Sequence, residues 1–236
     1  MPTSWNTSYR VVDRTLVVPF TSVRRVISSA VHGGGIVHAN GILNHQVINE
    51  KSPANDFSHE KDPSRYLGEL AKRLKVHGRC VGLMTAVDMR CLVLQRVEAE
   101  GLWIEGFFTV GVSNAVRAGD AIVTQLPTKT EIKIGTINII LITNARLSSA
   151  AMVCAVGVAT ESKTAMLFSE DIKNMSGTHV ATGTGTDVVA VASGQGPFCR
   201  FSGTHTKMGE LIGRVVSQGI KKGLQKYRAW RNSSMK

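Results

Sequence analysis

An apolar strand–helix–strand unit in the middle of the chain constrains the fold more than any other feature. Residues 132–144 are dense in β-branched side chains, which is typical of a buried strand. Ser148 or Ser149 can then cap the N-terminus of a long apolar helix. Residues 182–192 return as a second strand, which begins with alternating glycines and threonines and contains Asp187. This order predicts a sheet with the helix packed on it.

Two further helices and the absence of linkers extend this prediction to the whole chain. Helices are expected near residues 64–76, 148–167 and 206–230. There is no internal repeat and no clear linker, so we expect one domain over residues 1–236. The expected fold class is α+β, with a mixed or largely antiparallel sheet and the helices packed on its faces. A layered α/β sandwich is one arrangement that satisfies this order.

Several more strands are predicted around short turns. Residues 9–20 predict a strand or hairpin, broken at Asp13-Arg14 and closed by Pro19. The segments 89–97 and 102–112 predict two strands on either side of a turn at Glu98-Ala99-Glu100-Gly101. A sheet with several hairpin-connected strands follows from this spacing.

The composition is that of a globular protein with a strongly basic balance. Hydrophobic residues make up 43% of the 236 residues, yet no run approaches the ~20 apolar residues that a membrane span requires. The formal net charge is +11, and much of the excess falls near the end of the chain. A solvated basic helix face is the commoner explanation and nucleic-acid binding the alternative. The N-terminus has no apolar signal region and the four cysteines show no CxxC spacing, so a cytoplasmic location without a membrane span is expected.

The familiar hydrolase motifs are absent. GxSxG and HExxH do not occur, and the seven histidines lack the spacing of zinc ligands, so no metal site is predicted. His205 precedes a helix N-terminus, with Glu210 one turn on, and is either a general acid–base group or a surface-loop histidine. Ser113 is either a nucleophile or a turn hydroxyl. Asp187 either orients a histidine, holds a substrate amide or closes an Asx turn.

Eight short blocks, in one order from about residue 25 to residue 214, closely resemble the adenosylcobinamide amidohydrolase (CbiZ-type) family. The blocks are SSAVHGGG (28–35), NHQV (44–47), GLMTAVDMR (82–90), GVSNAVRAGD (111–120), GTINIILITNA (135–145), ATESKTA (159–165), TGTGTD (182–187) and GTHTKMGELIGR (203–214). No single block identifies the family, but the ordered set is specific. The basic C-terminal helix tail, residues 215–236, lies outside this resemblance.

The resemblance implies an activity and a substrate. The implied reaction is hydrolysis of the amide that joins aminopropanol to the corrin ring of adenosylcobinamide, which yields adenosylcobyric acid for cobalamin salvage. A non-catalytic corrinoid-binding sensor or carrier is the alternative. The corrinoid is then a substrate, and no permanently bound cofactor is expected, because the DxHxxG pattern is absent. Neither nucleic acid nor a membrane is an expected partner, and a homo-oligomer is left open.

The site is expected where residues 111–115, 182–187 and 203–210 converge. His205 is the predicted proton shuttle, oriented by Asp187 or Glu210. Ser113 is the predicted nucleophile, with direct attack by an activated water as the alternative. The corrinoid carries neutral amides around its rim, so amide-satisfying side chains of the matched blocks are expected to bind it. The predicted substrate-binding residues are Asn44, Gln46, Thr85, Asp88, Asn114, Arg117, Asn138, Glu161, Thr184 and Thr186.

Overall fold

The computed structural model describes residues 5–47, 62–121 and 135–234, and these form one α+β domain. The helices within this part of the chain are α1 (Pro63–Arg73), α2 (Ser149–Ser169) and α3 (Lys207–Ser234), with a short 3-10 helix at Met89–Cys91. The strands are β1 (Arg10–Val12), β2 (Thr15–Ser28), β3 (Gly35–Gln46), β4 (Cys80–Thr85), β5 (Val93–Ala99), β6 (Leu102–Val110), β7 (Ala115–Val116), β8 (Ile137–Thr143), β9 (Arg146–Leu147), β10 (Gly183–Thr184), β11 (Val188–Ala192) and β12 (Phe198–Cys199).

A mixed eight-stranded sheet forms the centre of the domain. Its order is β4-β3-β2-β11-β8-β6-β5, and β1 pairs with the first part of β2. The β3–β4 and β8–β11 pairs are parallel, and the other pairs in this sheet are antiparallel. Two small sheets join β7 to β10 and β9 to β12. The mixed sheet confirms the predicted fold class.

The sheet folds over on itself, so that one face becomes an inner core. β2 is interrupted by a register shift between Pro19 and Arg24, and strands far apart in the order then meet across the inner face. Apolar side chains of β4 and β6 share this core, among them Leu83 and Phe107. The outer face is covered by helices: α1 packs over Leu43 of β3. The longer helices α2 and α3 pack over the β5–β6–β8–β11 end of the sheet.

The helix starts are where the sequence placed them. The Ser148 side chain accepts a hydrogen bond from the amide of Ala151 (3.0 Å), and Thr206 accepts one from the amide of Gly209 (3.0 Å). By length and composition alone, α2 is apolar enough to cross a membrane. In the structure, however, seven of its side chains are buried, including Lys163. The buried apolar side chains of α2 belong to the core between the sheet and α3.

The two predicted hairpin turns are present, and their backbones need special residues. Asp13 and Arg14 both have positive φ between β1 and β2, as do Glu100 and Gly101 between β5 and β6. Such turns match the twist of the strands that they join. The prediction that Pro19 closes the first hairpin was wrong, because β2 continues through it to Ser28.

Two other strand predictions need correction. The segment 182–192 is not one strand, because β10 pairs with β7 and only β11 belongs to the large sheet. The segment 89–97 begins with the 3-10 helix, and the strand starts only at Val93. The predicted strand from residue 132 is β8, which begins at Ile137, and residues 132–134 lie outside the described part of the chain.

Candidate active site

Strand ends from both halves of the folded sheet meet at one place. The Asn138 Nδ2 atom, near the start of β8, donates to Asn44 Oδ1 (2.9 Å) and to the Met84 carbonyl (2.7 Å). The Asn44 Nδ2 atom donates in turn to Thr109 Oγ1 (3.1 Å) on β6. Asn138 is 0% exposed, and its Oδ1 atom has no partner within the described part of the chain. These polar side chains therefore link β3, β4, β6 and β8 beneath the point where the strands end.

Lys163 and Asp187 form a buried ion pair at this same end of the sheet. The Lys163 Nζ atom lies 2.5 Å from Asp187 Oδ2, and the two side chains are 8% and 13% exposed. Lys163 reaches the pair from α2, and Asp187 stands in the turn between β10 and β11. Burying two charges is costly unless each is paired and hydrogen-bonded. Because this charge pair lies where several strand ends and polar side chains meet, it is the candidate functional centre.

Asp187 accepts hydrogen bonds from four groups in all. Besides Lys163, the donors are the Ile137 amide (3.0 Å), the Thr184 amide (3.0 Å) and the Thr184 hydroxyl, which is very close. A carboxylate offers about four lone-pair positions, so these donors fill its capacity. The arrangement fixes Asp187 in place, and it holds the Lys163 ammonium, which has three donor hydrogens, against the carboxylate.

Gly183 makes room for this pair. A Cβ atom at position 183 would lie 2.4 Å from Asp187 Oδ2 and 2.7 Å from Lys163 Nζ. Neither distance is compatible with a methyl group, and both atoms are fixed by their ion pair. In this alternating segment, glycine therefore lets the ion pair approach the backbone closely, and threonine supplies a hydroxyl that donates to Asp187.

The hydroxyls of Thr136 and Thr186 and the side-chain amide of Asn114 lie beside the Lys163–Asp187 pair. The Thr136 and Thr186 hydroxyl oxygens lie 2.5 Å apart. The segment that follows β6 runs beside residues 135–136, because the Gly111 amide donates to the Thr136 carbonyl (3.0 Å). A Cβ atom on Gly135 would meet Asn114 Oδ1 at 2.4 Å and the Ser113 nitrogen at 2.9 Å. Ser113 and Asn114 are therefore close neighbours of the threonine pair.

A pocket of about 670 Å³ opens next to this cluster. Its walls include Val116, Arg117, Asp120, Met175, His179 and Gly185. The volume lies within the range of small-molecule sites, ~300–1,000 Å³. Ala115, which also lines the pocket, pairs with Thr184 between β7 and β10, and this pairing places the pocket next to the turn that carries Asp187. Two of the wall side chains are apolar and well exposed, Met175 at 59% and Val116 at 38%, as is common at ligand sites.

The structure does not bring His205 and Glu210 to this site. Glu210 pairs with Lys207 (2.6 Å), which also pairs with Glu100 (3.2 Å) in the β5–β6 turn. That turn lies at the C-terminal end of β8, whereas Asp187 contacts its first residue. The seven residues of β8 span about 20 Å. The predicted convergence of residues 203–210 with the other two segments is therefore wrong, and neither Asp187 nor Glu210 can orient His205 toward the Lys163 centre.

Eight of the ten predicted substrate-binding residues divide into three groups. Asn44, Thr85, Asn114, Asn138, Thr184 and Thr186 lie in or beside the cluster. Arg117 lines the pocket, with its guanidinium 5.9 Å from the ring centre of Phe168. Glu161 is exposed on the outer side of α2, because residues two apart on a helix point in different directions. The side chain that points inward is Lys163, and Glu161 is thus placed away from the site.

Gln46 and Asp88 hold the end of β4 in place. Gln46 Oε1 accepts from the Met89 amide (2.9 Å), and Asp88 caps the 3-10 helix by accepting from the Arg90 amide (2.8 Å). The Arg90 guanidinium also donates to both oxygens of this carboxylate. These hydrogen bonds lower the pKa of Asp88 below its ordinary value. Both residues therefore have a structural task near the site, in addition to the binding role expected of them.

Sequence reasoning missed His179, which lines the pocket. Asn174 holds the backbone of His179 with two hydrogen bonds. The Asn174 backbone N–H donates to the His179 carbonyl (2.9 Å), and the Asn174 side-chain oxygen accepts from the His179 backbone N–H (3.2 Å). The polar, loop-like sequence around His179 gave no periodic signal. A single histidine in a loop cannot be placed without the tertiary structure. The described residues contain no group of three or more side chains suited to hold a metal ion.

Comparisons with known proteins agree on one family. The sequence model of the adenosylcobinamide amidohydrolase family (CbiZ) matches residues 3–232, which extends beyond the blocks at both ends. The chain is 30% identical over 227 residues to an adenosylcobinamide amidohydrolase of Methanosarcina mazei, with 92% of this chain and 97% of that protein covered. It is also 30% identical over 228 residues to an uncharacterized protein of Methanocaldococcus jannaschii, covering 90% and 86%.

A solved structure gives only a distant likeness. A Burkholderia β-aminopeptidase aligns over 90% of this chain and 78% of its own, with 9% identity and a TM-score of 0.41. A TM-score of this size does not establish a shared fold. The family match over nearly the whole chain and the relative from Methanosarcina mazei decide the question of family. The chain belongs to the adenosylcobinamide amidohydrolase (CbiZ) family, whose members are hydrolases acting on an amide bond.

Proposed function

We propose that the protein hydrolyses the amide bond between aminopropanol and the corrin ring of adenosylcobinamide. Water adds across this bond, so that the products are adenosylcobyric acid and free aminopropanol, as required for cobalamin salvage. Family membership supports the reaction type. The observation that carries the location is the buried Lys163–Asp187 pair beside a pocket large enough for the aminopropanol arm of the substrate.

Lys163 is proposed to stabilise the transition state. Attack on an amide carbonyl places negative charge on its oxygen, and a fixed ammonium in a site shielded from water stabilises that charge. Asp187 is then a positioning residue, since its acceptor positions are filled and it holds the Lys163 ammonium toward the site. The amide nitrogen of the leaving aminopropanol must also receive a proton. His179, in the pocket wall, is the proposed shuttle.

The group that attacks the amide carbonyl is either a side chain of the protein or a water molecule. Ser113 is the candidate nucleophile of the protein, next to Asn114 and the Gly135 backbone. Direct attack by water needs no covalent intermediate and uses the same transition-state donor. The two routes differ in whether an acyl-enzyme forms on Ser113.

The pocket offers both apolar and polar wall groups to the part of the corrinoid that carries the scissile amide. The corrinoid is cationic at cobalt, so a chain of net charge +11 gains nothing by attracting it over long range. Exposed apolar side chains such as Met175 offer contact with the ring. Asn114 Oδ1 is buried without a partner within the described part of the chain, and it could accept from a corrinoid amide.

We further propose that the corrinoid is a transient substrate and that the protein works in the cytoplasm. All four cysteines are free thiols, as is usual in a reducing compartment. Burial raises the pKa of the Cys80 and Cys91 thiols, which makes both less reactive. These thiols are structural and take no part in the proposed chemistry.

The proposal is tested by incubating adenosylcobinamide with the purified protein and separating the corrinoids by chromatography. Adenosylcobyric acid and aminopropanol should appear in equal amounts. Corrinoid that binds but stays unchanged would instead identify a sensor or carrier. If nothing binds and nothing is cleaved, the proposed substrate is wrong.

A further inference from the structure

A second pocket, of about 470 Å³, lies at the opposite end of β8 from the Lys163 centre. Three arginines, Arg24, Arg25 and Arg146, line it together with His38 and Ser149. Its wall, as far as the structure describes it, contains no aspartate or glutamate. The pocket is therefore strongly cationic.

The three guanidinium groups are held in place by neutral partners. Arg24 donates to the Thr143 carbonyl (2.9 Å), and Arg25 donates to the Ser149 hydroxyl (2.6 Å). Arg146 lies over the ring of Phe198, 4.7 Å from its centre. Within residues 5–47, 62–121 and 135–234, none of the three forms an ion pair with a carboxylate.

No carboxylate in the described part of the pocket wall offsets the free-energy cost of placing these positive charges close together. Arg24 is half-buried, and desolvation lowers the pKa of its guanidinium, while the charge of Glu105 acts in the opposite sense. Arg25 and its strand partner His38 face each other in the β2–β3 register. The positive end of the α2 dipole adds to the field, since Ser149 is the first residue of that helix. A bound anion would compensate all of these groups together.

We infer that this pocket binds the phosphoryl group of a small-molecule phosphate ester. Guanidinium groups present pairs of N–H donors that match phosphate oxygens, and several of them around a helix start form an ordinary phosphate site. The volume of about 470 Å³ leaves room for an organic substituent beyond the phosphoryl group itself. This site is separate from the proposed amide-cleaving centre and does not depend on it.

The test is calorimetric titration of the full-length protein with inorganic phosphate, at constant ionic strength maintained with sodium chloride. Wild-type protein should bind one phosphate saturably. Arg25→Ala and Arg146→Ala should each weaken binding by about 10–100-fold, as expected for the loss of one charged hydrogen-bond donor. Arg231→Ala, which removes an exposed charge on the C-terminal helix, is the matched control and should leave binding unchanged.

Three results would overturn the inference. The first is the absence of saturable phosphate binding by the wild-type protein. The second is equal weakening in the pocket variants and in Arg231→Ala, which would show only a general effect of net charge. The third is equal affinity for adenosine monophosphate and inorganic phosphate, because the ester should bind more tightly. Melting temperatures measured in chloride alone show whether each variant is folded, and amide cleavage is not needed as a readout.

Discussion

The Lys163 ammonium lies 2.5 Å from the Asp187 carboxylate and joins the middle of the core helix to the turn that precedes β11. The two residues are 24 positions apart in the chain. The pair crosses from the helical layer to the sheet at the point where strand ends converge. It is the charged centre around which the other polar groups of the site are arranged.

Gly183→Ala should disrupt this centre without touching either charged residue. The new methyl group would overlap both Asp187 Oδ2 and Lys163 Nζ, so turnover should fall by at least tenfold. Gly157→Ala is the control, because position 157 is helical with open space around it, and it should retain activity. Steady-state rates of adenosylcobinamide cleavage compare the two, and equal rates would show that the pair tolerates displacement.

Ser113→Ala separates the two routes of attack. Loss of turnover with unchanged corrinoid affinity is expected if Ser113 forms an acyl-enzyme. Retained turnover is expected if water attacks directly. Mass spectrometry of the wild-type protein, quenched during turnover, provides the independent check, because only the first route adds a corrinoid acyl group to the chain.

His179→Ala and His205→Ala form a matched pair of histidine variants. A general acid–base group typically contributes ~10²–10⁴-fold to rate, so the variant at position 179 should lose activity within that range. The variant at position 205 should stay near the wild-type rate, since His205 lies toward the far end of β8. If His205→Ala loses activity and His179→Ala does not, the proton shuttle is His205 and the assignment of His179 is wrong.

Asp88→Asn tests the structural task of that residue through pH. The folded pKa of Asp88 is depressed, so its contribution to stability is present above the ordinary aspartate pKa of ~3.9 and is lost as the pH falls through the lower folded value. The variant should therefore be less stable than the wild type at pH 7. The difference in unfolding free energy should shrink as the pH falls below about 4. Urea unfolding across this range measures it, and a constant difference would contradict the assignment.

The sequence predicted local structure well where the signal is local. Ser148 and Thr206 cap helices because their hydroxyls bond amides three residues on, and this interaction can be found from spacing alone. The turn at Asp13-Arg14 is equally local. Pro19 misled the prediction, because its missing amide is tolerated beside a register shift in the long strand β2.

The site depended on contacts that spacing cannot supply. Glu161 and Lys163 sit two residues apart on an apolar helix, and the sequence says only that they point in different directions. Lys163 is the one of the two that is buried, because Asp187, in the turn before β11, lies on its side of the helix. The folding-over of the sheet likewise brings Asn44 to Asn138 across 94 residues. Conversely, His205 and Asp187 belong to the same series of motifs and yet lie toward opposite ends of one strand.

Turnover of Lys163→Met, measured beside Lys207→Met, tests the central claim most directly. Both variants remove one ammonium from an ion pair, but Lys207 pairs with Glu100 and Glu210 at the other end of β8. Loss of a transition-state donor typically costs ~10²–10³-fold in rate, so Lys163→Met should cleave adenosylcobinamide that much more slowly while still binding it. Lys207→Met should match the wild type. If a folded Lys163→Met protein cleaves at the wild-type rate, the Lys163–Asp187 pair is not the catalytic centre.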